Sequence, residues 1–163
     1  MGKTLAAAAS AFTLAGLVAG TGLAAASASA AAGRTEEFRM VSGQVSGKAS
    51  VVATGAFTAG GTTNLNTNVA TLRFSGGSFR INPRPAQTHA HIDPRTCVLN
   101  AFQQGSYRIG HGTGRFAHIS GSGTYVVEIL GVLARNARGK CSESKPPRAL
   151  QQVVTAHGPV SGA

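Results

Sequence analysis

The chain has 163 residues, enough for one domain and too few for a second domain with its own hydrophobic core. Lys and Arg outnumber Asp and Glu by 15 to 5, a formal net charge of +10, yet charged residues make up only 12% of the chain. The basic residues are scattered singly, which argues against a basic tail or arm, and no nucleic-acid recognition motif accompanies them. We therefore expect no specific nucleic acid partner, whereas an anionic envelope polymer would be attracted by this charge.

Residues 1–30 have the composition of a secretory signal peptide. Lys3 is their single charged residue, and an apolar stretch leads to Ala28-Ser29-Ala30, an A-x-A cleavage pattern. We predict cleavage after Ala30, with cleavage after Ala26 as the alternative, so that residues 31–163 form one secreted domain. An uncleaved membrane anchor is the competing interpretation of such a segment. The cleavage pattern favours export, with no transmembrane anchor left in the mature protein.

The remaining sequence is typical of an all-β protein. Gly accounts for 22 residues of the chain, about twice the usual share, and it interrupts short segments rich in Val, Thr, Phe and Ile. Such short strands, separated by Gly-rich turns, imply an antiparallel sandwich or barrel. Outside one hairpin, the predicted strands are 38–45, 49–59, 98–103, 106–109, 124–134 and 150–156, with a polar loop over 60–68.

The clearest predicted element is a β-hairpin over residues 71–82. A two-residue turn at Gly76-Gly77 would place Arg73 opposite Arg80 on the outer face. The same alternation predicts an apolar inner face formed by Leu72, Phe74, Phe79 and Ile81.

Two His residues and an Asp follow the hairpin. His89, His91 and Asp93 are spaced so that an extended segment would present all three on one face, where they would suit a metal ion. Prolines flank this segment at positions 83, 85 and 94, and they favour a polar loop instead. Both interpretations stay open.

The chain has only two cysteines, Cys97 and Cys141. An even number in an exported domain predicts a disulfide between them. Two buried free thiols are the alternative, and a zinc site would need further ligands.

A Gly-rich segment carries a family resemblance. Residues 112–121 read G-T-G-R-F-A-H-I-S-G, which resembles the G-T-G-[RK]-F-x-x-x-x-G turn of the allene oxide cyclase and dirigent barrels. The mature chain also resembles small secreted actinobacterial proteins. The resemblance implies an antiparallel eight-stranded barrel around an apolar cavity that takes a lipid-like or phenolic ligand. Phe116 can close one end of such a barrel. No catalytic position of the family is matched, so none is transferred.

Glu128 is the candidate catalytic residue. Val126, Leu130 and Val132 share its face of the predicted strand 124–134. Inside a barrel, a carboxylate in such apolar surroundings would act as an acid, a base or a ligand-orienting group. A structural salt bridge with one of the many Arg residues is the alternative.

The function predicted from the sequence is binding rather than catalysis. Because no nucleophile elbow, phosphate loop or dinucleotide fingerprint is present, we expect no hydrolase, kinase or redox activity and no cofactor. We predict a secreted barrel that binds a small apolar or amphipathic ligand or acts structurally outside the cell. The alternatives are a cofactor-free cyclase or dirigent-like enzyme using Glu128, and adhesion to anionic envelope polymers. An open lumen would favour ligand binding, and a filled lumen would favour adhesion.

Overall fold

The structure is a computed structural model that describes residues 33–163, so the predicted signal peptide and its alternative cleavage sites lie outside the described range. Eight strands follow one another along the chain, with one 3₁₀ turn at Gly114–Phe116 between the sixth and the seventh. The strands are β1 Arg34–Ser42, β2 Lys48–Thr54, β3 Ala59–Asn64, β4 Ala70–Phe74, β5 Gly77–Ile92, β6 Val98–Gly110, β7 Ser120–Val132 and β8 Ala149–Ser161.

The strands form a closed antiparallel barrel. Each strand pairs with its neighbours in the sequence, and β8 returns to pair with β1 from Arg34↔Val160 to Ser42↔Gln152. The predicted all-β class and the eight-stranded antiparallel barrel are therefore confirmed. No helix within residues 33–163 is long and apolar enough to cross a membrane.

Strands β3 and β6 differ most from the sequence prediction, and the predicted strand 49–59 ends at Thr54. The predicted loop 60–68 contains most of β3, whose small and polar residues show no apolar alternation but pair with β2 from Lys48↔Asn64 to Ala53↔Ala59. The two strands predicted over 98–109 are one continuous strand, β6. A Cβ on Gly105 would lie 2.2 Å from the carbonyl oxygen of Arg84, so this glycine permits close approach of β5 rather than interrupting β6.

The hairpin between β4 and β5 has the predicted faces and a different register. Phe74 lies opposite Gly77 and Arg73 lies opposite Ser78, so the two-residue turn is Ser75-Gly76. A Cβ on Gly77 would lie 2.1 Å from the carbonyl oxygen of Thr113, so Gly77 is needed where the hairpin contacts the chain before the 3₁₀ turn. Since the register differs by two residues, the predicted apolar residues Leu72, Phe74, Phe79 and Ile81 still point inward and are buried.

Strand β5 passes through two prolines where the sequence favours a loop. Ile81 is the last residue of β5 that pairs with β4, and beyond it β5 pairs only with β6. Pro83 and Pro85 therefore lie where one edge of β5 has no partner, the position in which a residue without an N–H is tolerated. The β5–β6 ladder is irregular between Pro85 and Gln87.

One end of the barrel is closed by aromatic packing. Phe79 and Phe116 are fully buried with ring centroids 5.4 Å apart, and the guanidinium of Arg115 lies 4.6 Å from the centroid of Phe116. Phe116 thus closes the end of the barrel, the position predicted for it. We call this group the aromatic plug, and it consists of Phe38, Phe57, Phe74, Phe79 and Phe116.

A disulfide joins loops at the opposite end of the barrel. Cys97, just before β6, is bonded to Cys141 in the connection between β7 and β8, with Cα atoms 5.3 Å apart. The predicted pairing is confirmed. A disulfide of this kind is compatible with a secreted protein.

Candidate functional site: a cavity in the barrel

A cavity of about 210 Å³ lies at the end of the barrel away from the aromatic plug. Its walls are mainly apolar, with Met40, Val127 and Val154 among the contributing side chains. The cavity exists because other inward positions at this end carry small side chains. These are Ala70, Ala101 and Ala156.

The volume limits what the cavity can hold. Its accessible volume of about 210 Å³ is room for more than one water molecule. An apolar protein cavity of about 150 Å³ is large enough to bind benzene. A single small ring or a short alkyl chain therefore fits.

Part of the cavity wall lies where β4 and β5 stop pairing. Pro83 and Thr88, on the part of β5 that has lost its β4 partner, line the cavity together with Leu65 and Thr67 from the loop before β4. The loop and this part of β5 therefore both form the cavity wall.

A chain of hydrogen bonds crosses one wall of the cavity. The Tyr125 hydroxyl donates to Gln103 Oε1 at 3.2 Å, and Gln103 Nε2 donates to Thr88 Oγ1 at 3.2 Å. Burial raises the pKa of Tyr125 above its ordinary value, so the phenol stays neutral at physiological pH. The Thr88 hydroxyl hydrogen and the remaining lone pairs of Tyr125 are available to a ligand.

A second polar feature lies inside the barrel beside the aromatic plug. Glu36 is fully buried, and its Oε2 accepts a hydrogen bond from the Phe57 backbone N–H at 3.0 Å. Gly158 lies opposite Glu36, and Gly123 lies opposite Tyr107. A Cβ on Gly158 would lie 2.7 Å from Gly123 Cα. The inner wall between Glu36 and Tyr107 is therefore bare of side chains.

Burial changes the acid–base properties of both groups. It raises the pKa of Glu36, and the backbone N–H groups of Phe57 and Ala56 partly oppose this rise. Burial, together with the nearby Glu36 carboxylate, raises the pKa of Tyr107 to about 12. Glu36 Oε1 and the Tyr107 hydroxyl have no hydrogen-bond partner within residues 33–163. Both groups therefore keep hydrogen-bonding capacity that no other described residue uses.

Sequence reasoning missed both Glu36 and Tyr107. The alternation of the strands could have identified them. Glu36 lies on the same face of β1 as Phe38 and Met40, and Tyr107 lies on the same face of β6 as Ile109. Residues two apart on a strand share a face, so an acid in phase with buried apolar residues points into the barrel.

Glu128, the predicted catalytic residue, lies on the outside of the barrel. Strand β7 alternates, with Val127 buried and Glu128 exposed, so Glu128 does not lie in the apolar interior considered for it. Glu128 lies opposite Phe102 on one side and Val153 on the other, and it does not line the cavity. Its catalytic and salt-bridge roles both stay predictions.

The predicted metal ligands do not converge on one point. His89 and His91 are exposed on the outer face of β5, opposite Phe102 and Asn100. Asp93 follows the strand, where its Oδ1 accepts hydrogen bonds from the backbone N–H groups of Arg95 at 2.8 Å and Thr96 at 3.4 Å. The Arg95 N–H is the main cause that lowers the pKa of Asp93. The part of the chain that the structure describes contains no group of three or more His, Cys, Asp or Glu able to hold a metal ion.

The cavity is suited to binding and orienting a neutral molecule. None of the side chains lining it carries a charge, while Tyr125, Gln103 and Thr88 offer hydrogen bonds at one wall. A comparison with known proteins finds no family model, no curated protein and no solved structure that matches this chain.

Proposed function

We propose that this protein is secreted and binds one small, neutral, apolar or amphipathic molecule inside its barrel. The observation that supports the proposal most is the cavity of about 210 Å³ with its apolar walls. A ligand with one hydroxyl would satisfy the Tyr125–Gln103–Thr88 wall, and its apolar body would fill the rest. An ionised ligand is disfavoured because no opposite charge lines the cavity.

Membership of the allene oxide cyclase and dirigent barrels is part of this proposal. Two features support it: the eight-stranded antiparallel barrel, and the burial of Phe116 from the Gly-rich turn in the aromatic plug. The enzymatic alternative has less support. The acid predicted for it, Glu128, faces away from the cavity.

Calorimetric titration with 4-ethylphenol tests the binding proposal. This probe combines an apolar body of suitable size with one hydroxyl, and 4-ethylbenzenesulfonate carries the same body with a negative charge. We expect saturable binding of the phenol in a ratio of one to one and at least about tenfold weaker binding of the sulfonate. No heat of binding for the phenol, or tighter binding of the sulfonate, would overturn the proposal.

A matched pair of variants ties the binding to the cavity. Ala101→Leu adds bulk to the cavity wall, whereas Ala149→Leu makes the same change at an exposed position of β8. We expect the first variant to weaken 4-ethylphenol binding at least about tenfold and the second to leave it unchanged. If the two variants changed the affinity for 4-ethylphenol equally, the phenol would bind outside the cavity.

The mass of the protein recovered from the culture medium tests secretion. A chain starting at Ala31 or at Ser27 would agree with the signal peptide. Recovery of the full-length chain in the cell membrane would contradict it.

A further inference from the structure

Four arginines form a continuous group on the outside of the barrel. They extend from strands β4, β5 and β6, point away from the lumen and are exposed. We call them the arginine face, which consists of Arg73, Arg80, Arg84 and Arg108.

The strand register places these arginines side by side. Arg108 lies opposite Asn82, so Arg80 and Arg84 are its two diagonal neighbours on β5. Arg73 lies opposite Ser78 and is therefore diagonal to Arg80. Diagonal neighbours on one face of a sheet are about 7–8 Å apart. The four guanidinium groups thus follow a zigzag line across three strands.

No carboxylate lies on the strands that carry these arginines. Strands β3, β4, β5 and β6 contain neither Asp nor Glu. The outward neighbours of the arginines are uncharged and mostly small, so they leave the guanidinium groups accessible. These neighbours are Thr62, Thr71, Ser78, Asn82, Ser106 and Ser122. Like charges so close together repel, and an anion bound between them would relieve the repulsion.

We propose that the arginine face binds a flexible linear polymer of phosphates. The planar fork of a guanidinium donates two parallel hydrogen bonds to a phosphate. The face is part of a curved wall rather than a pocket, so a chain that lies across it gains more contacts than a single small anion. Once one phosphate of the chain is bound, the other phosphates of the same chain are held near the remaining arginines at a high effective concentration. The chain therefore binds more tightly than separate phosphate ions. This site lies outside the barrel and is independent of the ligand cavity.

Salt dependence is the expected signature of this binding. About 0.7 counterion is released for each phosphate contact on a flexible strand, so four contacts give a slope near −3 for log K against log salt. Raising the salt from about 50 to 200 mM should then weaken binding roughly 50-fold.

Fluorescence anisotropy with labelled inorganic polyphosphate tests the proposal. The test variant is R73Q/R80Q/R84Q/R108Q. The control R39Q/K48Q/R138Q/K140Q removes the same charge from exposed positions elsewhere. We expect the test variant to weaken binding at least about 30-fold and to flatten the salt slope, and the control to change binding less than about threefold. Thermal unfolding of both variants should match that of the unaltered protein, since all eight positions are exposed.

Three outcomes would overturn the proposal. Equal weakening by the two quadruple variants would mean that net charge alone attracts the polymer. Equal or tighter binding of heparin at matched charge would show that phosphate is not the preferred group. Tighter binding to phosphatidylglycerol vesicles would assign the face to a membrane surface.

Discussion

The two ends of the barrel are built from the same eight strands and differ in what fills them. At one end the aromatic plug occupies the interior, and the ring of Phe79 lies within 5.7 Å of three other phenylalanine rings. At the other end the inward positions include Ala101 and Ala156, and a cavity of about 210 Å³ is left between them. The size of the inward side chains, rather than the fold, decides whether this barrel is filled or open.

The two ends are also held together by different means. Packing of aromatic rings stabilises the filled end. At the cavity end, where less apolar surface can be packed, the Cys97–Cys141 disulfide ties the start of β6 to the long β7–β8 connection. The cavity and the disulfide therefore lie at the same end of the barrel.

The largest effect on stability is expected from removing a ring of the aromatic plug. Phe79→Ala removes a fully buried ring and should lower the free energy of unfolding by about 3–5 kcal/mol. Phe102→Ala, on the half-buried outer wall of β6, is the control and should cost less than half as much. Urea denaturation measures both. Similar losses in the two variants would mean that the aromatic plug does not stabilise the barrel.

Removing the disulfide should have the next largest effect. For a sequence separation of 44, the chain-entropy relation predicts that Cys97→Ser with Cys141→Ser lowers stability by about 4 kcal/mol or somewhat less. Hydrogen exchange should speed up first near Val98 and Val132 and last in the β4–β5 hairpin. Uniform acceleration over all strands would contradict the division into two ends.

A smaller effect should follow from neutralising the buried acid. Because burial raises the pKa of Glu36, the folded state holds this proton more tightly than the unfolded chain does. Its contribution to stability is complete below the ordinary pKa of 4.5 and falls as the pH rises through the raised value.

From pH 4 to pH 7.5 the unaltered protein should therefore lose the stability contributed by this proton, whereas Glu36→Gln has no such proton to lose. The stability of the variant relative to the unaltered protein should rise by about 1.4 kcal/mol for each unit by which the pKa of Glu36 is raised. Glu37→Gln, at the exposed neighbouring position, is the control and should show less than half of this gain. Denaturation at both pH values measures the difference. A loss of stability for Glu36→Gln on going to pH 7.5 would show that the carboxylate is stabilised by an interaction absent from this account.

The smallest effect is expected at Tyr107. Its hydroxyl has no hydrogen-bond partner in the described part of the chain, so Tyr107→Phe should change stability by less than about 1 kcal/mol at pH 7. The pKa of Tyr107 is raised to about 12 from 10.0, so stability should fall as the pH rises above 10. Tyr107→Phe should reduce this alkaline loss, as measured by thermal unfolding at pH 9 and pH 11. A large loss of stability in Tyr107→Phe at pH 7 would show that the Tyr107 hydroxyl forms a hydrogen bond in the folded protein.

The filled end was the more predictable of the two. Alternation alone placed Leu72, Phe74, Phe79 and Ile81 on one buried face, and even a register error of two residues preserved that face. Strand β3 was not predicted because its sequence, AGGTTN, has no alternation of apolar and polar residues. Its strand conformation depends on pairing with β2.

The cavity end could not be derived from local patterns. Its walls combine Ala70, Ala101 and Ala156 from three strands far apart in the sequence, and only the closure of the barrel brings them together. The inward direction of Glu36 was readable from its phase with Phe38, but its missing hydrogen bond was not. Whether Glu128 points in or out depends on which face of β7 lines the lumen, a choice that apolar residues on both faces left open.

Native mass spectrometry of the protein exported from its own host is the most direct test of whether the cavity binds a ligand. We predict one bound organic molecule of small mass on the folded protein. That molecule should be lost on denaturation and greatly reduced in Ala101→Leu. A folded protein that carries no such mass, and takes up none when 4-ethylphenol is added in excess, would contradict the claim that the open end of this barrel is a binding site.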